Sequence, residues 1–89
     1  MTAPYKATPV FDEISLPQAI RNAHQTKPGV WGLLRVLEGE AVLVFHDGQP
    51  PVRVSVDQPA TIPPEAVHHV EVTGPVRMQV EFYHDAPME

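Results

Sequence analysis

The chain of 89 residues contains no cysteine. That absence removes a disulfide framework, a thiolate zinc site and a cysteine nucleophile together. Positive charge is scarce: six lysines and arginines stand against eleven acidic residues, for a net charge of −5. Lys6, Arg21, Lys27, Arg35, Arg53 and Arg77 are scattered singly. No basic patch therefore offers itself to nucleic acid or to an anionic membrane surface. No apolar run reaches membrane-spanning length, and the start lacks a basic stretch followed by an apolar one. The expectation is a soluble, cytoplasmic protein. Eleven prolines and five glycines describe a turn-rich globule rather than a helical bundle. A chain this short makes one domain, over 1–89, which excludes a full dinucleotide fold, an eight-stranded α/β barrel and a two-domain enzyme.

Local patterning changes character once along the chain. Residues 1–14 read as an irregular arm, with Pro4 and Pro9 against helix and Val10-Phe11 as its apolar anchor. Ser15-Leu16-Pro17-Gln18 reads as a helix start, a capping serine with proline early and glutamine three residues on. Leu16, Ile20 and His24 follow at i, i+4 and i+8, which puts His24 on the inward face of a short helical turn that Lys27-Pro28-Gly29 stops. From Val30 the period becomes two. Strands are predicted over 30–37, 41–45, 52–56, 60–62, 68–72 and 76–83, with Gly32 a candidate bulge. Glu38-Gly39-Glu40 and the Asp47-Gly48 turn join neighbours tightly. Short strands at regular spacing predict an antiparallel sandwich or barrel. Residues 84–89 read as a loose tail.

The five histidines carry what reactive or ligand potential the sequence has. His68 opens a strand whose later inward members are Val70 and Val72, so its imidazole is expected inside. A buried neutral ring is satisfied by a metal ion plus one hydrogen bond, or by hydrogen bonds alone to the backbone. His24 precedes the first long strand and His84 closes the face begun by Val76. If the sheet closes, both meet His68 at one mouth. With a carboxylate such as Glu38 they would suit Zn²⁺, Fe²⁺, Mn²⁺ or Ni²⁺. The plainer readings are a helix-end residue for His24, a tail residue for His84 and a solvated turn carboxylate for Glu38. His69 must face the opposite side from His68, and His46 sits in a hairpin turn. Trp31 and Tyr83 are candidates for lining a small-molecule pocket or for core. Lys27, near His24, is a candidate site cation or a solvated lysine. No serine has an activating His/Asp arrangement, and no glycine cluster builds a phosphate loop.

Two stretches carry a family resemblance. His24-Gln25-Thr26-Lys27-Pro28-Gly29-Val30-Trp31-Gly32-Leu33-Leu34, followed by Val36-Leu37-Glu38-Gly39, resembles an H-x-T-K-x-G-x-W-G-x-L segment and its V-L-x-G turn. Pro63-Pro64-Glu65-Ala66-Val67-His68-His69-Val70-Glu71 is similar to a P-P-E-x-W-H-x-V-E stretch, and Val80-Glu81-Phe82-Tyr83 to a closing strand. These belong to a small cupin-like domain, found alone in YeaR-like proteins or at the N-terminus of some tellurite-resistance TehB methyltransferases. The resemblance runs over roughly residues 4 to 84. It implies a double-stranded β-helix barrel, or jelly roll, with His24 and His68 as metal-site positions. Two departures reshape the site: Val67 stands where the family pattern has tryptophan, and Gln25, Thr26 and Lys27 replace the paired histidines of the general cupin motif. No methyltransferase portion is included in the resemblance.

The expectation is thus an all-β, cupin-like barrel binding a divalent metal through His24 and His68, helped by His84 or Glu38. A small molecule or oxyanion would be bound or sensed there. The rivals are a metal-dependent oxygenase or isomerase acting on a small metabolite, and a metal-free structural or interaction module. Strand edges left open by so small a barrel predict a homodimer.

Overall fold

The computed structural model describes residues 3–17 and 21–87. The described residues form an all-β arrangement of nine strands: β1 (Lys6–Ala7), β2 (Phe11–Asp12), β3 (His24–Gln25), β4 (Trp31–Glu38), β5 (Glu40–Phe45), β6 (Val52–Ser55), β7 (Ala60–Ile62), β8 (Val67–Glu71) and β9 (Arg77–Tyr83). Every pairing is antiparallel. One sheet runs β1-β9-β4-β7, with β2 also on β9, and the other runs β3-β8-β5-β6.

Alternation decides what lies between the sheets. Leu34 and Val36 of β4, Met78 and Val80 of β9, Ala60 and Ile62 of β7 face Ala41, Leu43 and Phe45 of β5, Val54 of β6 and Val70 of β8 in one apolar core. Branched and aliphatic side chains fill it, as befits half-buried pleated strands. The six strands from β4 to β9 lie where the period-two alternation predicts them, within a residue or two at each end.

Four expectations need correction, the last of them at the C-terminal end. The arm over 1–14 is not wholly irregular, because β1 and β2 add to the edge of β9, with Lys6 opposite Phe82 and Phe11 opposite Met78. Tyr5 and Thr8 donate their amides to the carbonyls of Phe82 and Val80, both at 2.9 Å. A strand of two residues has no period to read, so backbone pairing alone makes it. At the expected helix start the described residues form a turn over 13–15 and no helix element. The Asp12 carboxylate accepts the amides of Ile14 and Ser15 at 2.9 and 2.8 Å, while Ser15 Oγ accepts the Asp12 amide at 2.9 Å. These reciprocal bonds close the turn from Asp12, and they hold the Asp12 carboxyl below its ordinary value. Gln18 and Ile20 of the expected turn lie outside the described residues, whereas His24 belongs to a strand and not to a helical face. Thirdly, the irregularity in β4 falls between Val36 and Glu38, not at Gly32, which sits in regular register opposite Phe82 and Ile62.

Gly39 turns β4 into β5 with φ +78°, and a Cβ there would stand 2.3 Å from the Pro75 carbonyl oxygen. Only glycine fits both the backbone and that approach.

Residues 84–87 are less loose than a tail. His84 stacks on Tyr5 at 4.0 Å between ring centroids, and Pro87 is buried.

Candidate functional site

The site is built by pairing two short strands far apart in sequence. β3 lies on β8 so that His24 is opposite His68 and Gln25 opposite Val67. Directly opposed residues of an antiparallel pair share a face, and both imidazoles turn toward the interior. Their centroids are 5.6 Å apart, with the rings nearly perpendicular at 87°.

The proline turn before β8 sets the depth and orientation of His68. Thr26 Oγ1 donates to the Pro63 carbonyl at 2.7 Å, Gln25 Nε2 donates to the Glu65 carbonyl at 3.1 Å, and the Glu65 amide donates to the Thr26 carbonyl at 3.1 Å. Glu65 itself takes the left-handed conformation, φ 63°, a cost the surrounding bonds hold in place. This stitching presents the Ala66 carbonyl to His68 Nδ1 at 2.9 Å. A carbonyl can only accept, so Nδ1 carries the proton and Nε2 keeps the lone pair of the neutral ring.

His68 is 4% exposed, whereas His24 is exposed at the rim. Between and behind them lies a cavity of about 50 Å³, walled by Gly32, Leu34, Ile62, Val70, Val80 and Phe82. It continues outward into a depression of about 160 Å³ where His24 and Thr26 meet Tyr5 and Lys27. A larger depression of about 650 Å³ lies elsewhere, over Leu33, Arg35, Arg53 and Thr61. We place the site at the histidines because both guanidiniums of the larger one are already paired, Arg35 with Glu81 and Arg53 with Glu40.

Burial pushes the His68 pKa down. The hydrogen bond to Ala66 opposes this, and the charges of His24, His46 and His69 add to the lowering. The folded value thus falls below the ordinary value of about 6.5, so the unfolded chain binds the extra proton first as pH drops. In metal-free protein, stability is expected to fall as pH passes from about 6.5 down through the folded value. His68→Leu should show a shallower decline in urea midpoint over pH 7 to 5. Equal slopes in both proteins would count against a buried neutral His68.

The other expected site residues are placed differently. Lys27 lines the outer depression beside His24. His84 stacks on Tyr5 at the same mouth, one ring removed from the histidine pair. Glu38 lies six residues beyond Gly32 along β4, roughly 20 Å away at strand spacing, where it faces Arg77 at 3.9 Å on the surface. Trp31 and Tyr83 oppose one another in register on the outward face of their sheet, since the neighbouring Gly32 and Phe82 line the interior cavity. Tyr83 is nevertheless buried, and its hydroxyl donates to Glu81 Oε1 at 2.7 Å, which also accepts Arg35 Nε at 2.8 Å. Burial alone would raise the Glu81 carboxyl, but Arg35 and Tyr83 together hold it below its ordinary value. These outer residues form a structural network, apart from the histidine cavity.

Among the described residues, no three imidazole or carboxylate groups gather around a common point. The donor set at the cavity is therefore two imidazoles. That is one short of the three protein ligands of catalytic zinc centres.

Residues overlooked by pattern reading also contribute. Thr26 is buried beneath the mouth, and Gly32 and Phe82 wall the cavity. Phe82 carried a signal, its place on the Val76-Met78-Val80 face.

Comparison with known proteins places this arrangement among relatives. A crystal structure of a protein from E. coli (strain K12) superposes with a TM-score of 0.81 at 25% identity, over 98% of this chain and 93% of that one. The crystal structure of TehB from Haemophilus influenzae gives a TM-score of 0.78 at 29% identity, over 91% of this chain but 30% of that one. The probable S-adenosyl-L-methionine-dependent methyltransferase TehB of Haemophilus influenzae is 44% identical over 43 residues, 48% of this chain and 14% of the relative. The chain thus matches only a small part of that curated relative. Residues 6–80 match the family model described as the TehB-like domain. The chain belongs to the TehB-like domain family.

Proposed function

We propose that the chain is a cupin-type jelly roll that binds a small oxyanion or similarly small polar ligand at a divalent ion held by His24 and His68. The observation that carries this reading is the opposed pair itself: a deep imidazole with its tautomer fixed by Ala66 and a second imidazole at the rim, 5.6 Å away. His68 offers Nε2 as a fixed donor, and His24 closes over it from the solvent side. Lys27 brings a positive charge to the outer depression, where it favours an anion. The small cavity limits what can reach His68 to a few heavy atoms. A divalent ion there would supply Lewis acidity and exchangeable solvent positions. With both imidazoles given to the ion, no other side chain among the described residues at the cavity stands ready as a general base, which favours binding or sensing over turnover. An oxygenase or isomerase activity has no such residue in its support.

Purified, tag-free protein dialysed against Zn²⁺, Mn²⁺, Ni²⁺ or Fe²⁺ should retain an ion at the cavity, and His24→Ala should release that ion. Oxyanions such as tellurite or phosphate should then bind wild type and not that variant. Wild-type protein that retains no ion from any of these solutions would favour a metal-free module instead. Pairing of two copies is part of the proposal: β6 and β7 each end a sheet, and Leu37 and Val56 are exposed nearby. Sedimentation at micromolar concentration should give a dimer mass; a monomer mass would remove this part. Among the described residues no helix is long and apolar enough to cross a membrane.

A further inference from the structure

We infer a second, independent metal site on the outer face of the other sheet, formed by His46 and His69 and backed by Glu71, with a preference for Cu²⁺ or Ni²⁺ over Zn²⁺. His46 follows β5 and continues its outward alternation past Val44; its amide donates to the Val67 carbonyl at 2.9 Å, which extends the pairing with β8. His69 lies opposite Val44, so His46 is its diagonal neighbour on one face.

With both rings neutral, the hydrogen bonds order the protons along this line. His69 Nε2 stands 2.8 Å from Glu71 Oε2, and His46 Nε2 stands 2.7 Å from His69 Nδ1. The carboxylate accepts, so His69 donates through Nε2 and keeps a lone pair at Nδ1. That lone pair accepts the Nε2 proton of His46. A histidine whose far nitrogen donates to a carboxylate is the arrangement that orients metal-bound imidazoles and raises their basicity.

Replacing the shared proton by a cation turns the two facing nitrogens into ligands. The His46 proton moves to its Nδ1, and the ring stays neutral. Glu71 remains behind His69 as its hydrogen-bond partner, so the three groups lie in a line and do not cage the ion. Two nitrogens at bond lengths of about 2.05 Å stand ~2.9 Å apart at a right angle and ~3.3 Å apart at a tetrahedral angle. The nitrogens now face each other across a 2.7 Å hydrogen bond, so both rings must turn off that axis and part to admit an ion. The required parting is smallest for the right angle of square-planar and tetragonal Cu²⁺ and Ni²⁺. The intrinsic affinity order of divalent ions favours the same choice. His69 is half-buried and Glu71 exposed, leaving water to fill the other positions.

The test uses the full chain carrying His24→Ala, so that the interior pair does not contribute. Titration with Cu²⁺ against a competing chelator, followed by visible absorption and electron paramagnetic resonance, should show one ion with two nitrogen ligands. Adding His46→Ala should weaken binding by more than tenfold and change the nitrogen hyperfine pattern. Glu71→Gln, which leaves both ligands in place, should weaken it about tenfold or more. Zn²⁺ should bind less tightly than Cu²⁺ throughout. Unchanged Cu²⁺ affinity and spectrum in the His46→Ala protein would overturn the inference. So would the absence of nitrogen-ligated Cu²⁺ in His24→Ala protein whose circular dichroism matches wild type. Neither result bears on the interior pair.

Discussion

Leu43→Ala is expected to lower the unfolding free energy by about 2–5 kcal/mol. Leu43 is 0% exposed and sits mid-strand in β5, with Val52 and Val70 as its cross-strand partners. Deleting three buried carbons loses their transfer energy and leaves a void that a two-sheet core closes only in part. A domain of this size has a total stability of roughly 5–15 kcal/mol, so the variant keeps a small margin. The melting temperature should drop by on the order of 10–30 °C. Val44→Ala provides the comparison, because Val44 neighbours Leu43 but is half-buried on the opposite face. It should cost under about 1 kcal/mol, the scale of surface-side substitutions. Equal losses in the two variants would mean that β5 does not divide inside from outside as described.

The second large effect concerns the ion. His68→Ala is expected to weaken divalent-ion binding at the cavity by at least about a hundredfold, because one of only two protein ligands is removed and the other stands at the exposed rim. His24→Ala should weaken binding as strongly while leaving the fold nearly untouched, since His24 is exposed on a strand of two residues. The deep residue behaves differently on the stability axis: His68→Ala also leaves the Ala66 carbonyl without its ring partner and opens the cavity further. Stability loss in His68→Ala without loss in His24→Ala, accompanied by ion release in both, is the expected pattern. Undiminished ion affinity in either variant would remove that residue from the site.

What could be read from the sequence follows from how far each signal travels along the chain. Alternation is a local signal, and it located β4 through β9 from Val30 onward. It also implied that Tyr83 faces away from Phe82, which is how the structure has it; treating Tyr83 and Trp31 as pocket residues set that parity aside. β1, β2 and β3 are two residues each and exist because β9 and β8 have unpaired edges to receive them. Nothing local marks such strands. The pairing of His24 with His68 joins residues 44 positions apart; closure of the sheet suggested that they meet, and the family resemblance singled out the pair. Glu38 looked eligible because it is acidic and follows a strand. Its position at the far end of β4 depends on strand length and direction, which the sequence states but residue chemistry does not. The contact of His46 with His69 was hidden for a related reason: it needs the register of β5 against β8, and a hairpin-turn reading of His46 stops one residue too early.

Anomalous diffraction from crystals soaked in Zn²⁺ or Ni²⁺, recorded at the metal edge, addresses the interior site most directly. The account predicts a peak about 2.0–2.1 Å from Nε2 of His68 and at bonding distance from a ring nitrogen of His24. Clear density for both rings in fully soaked crystals, with no peak between them, would contradict it.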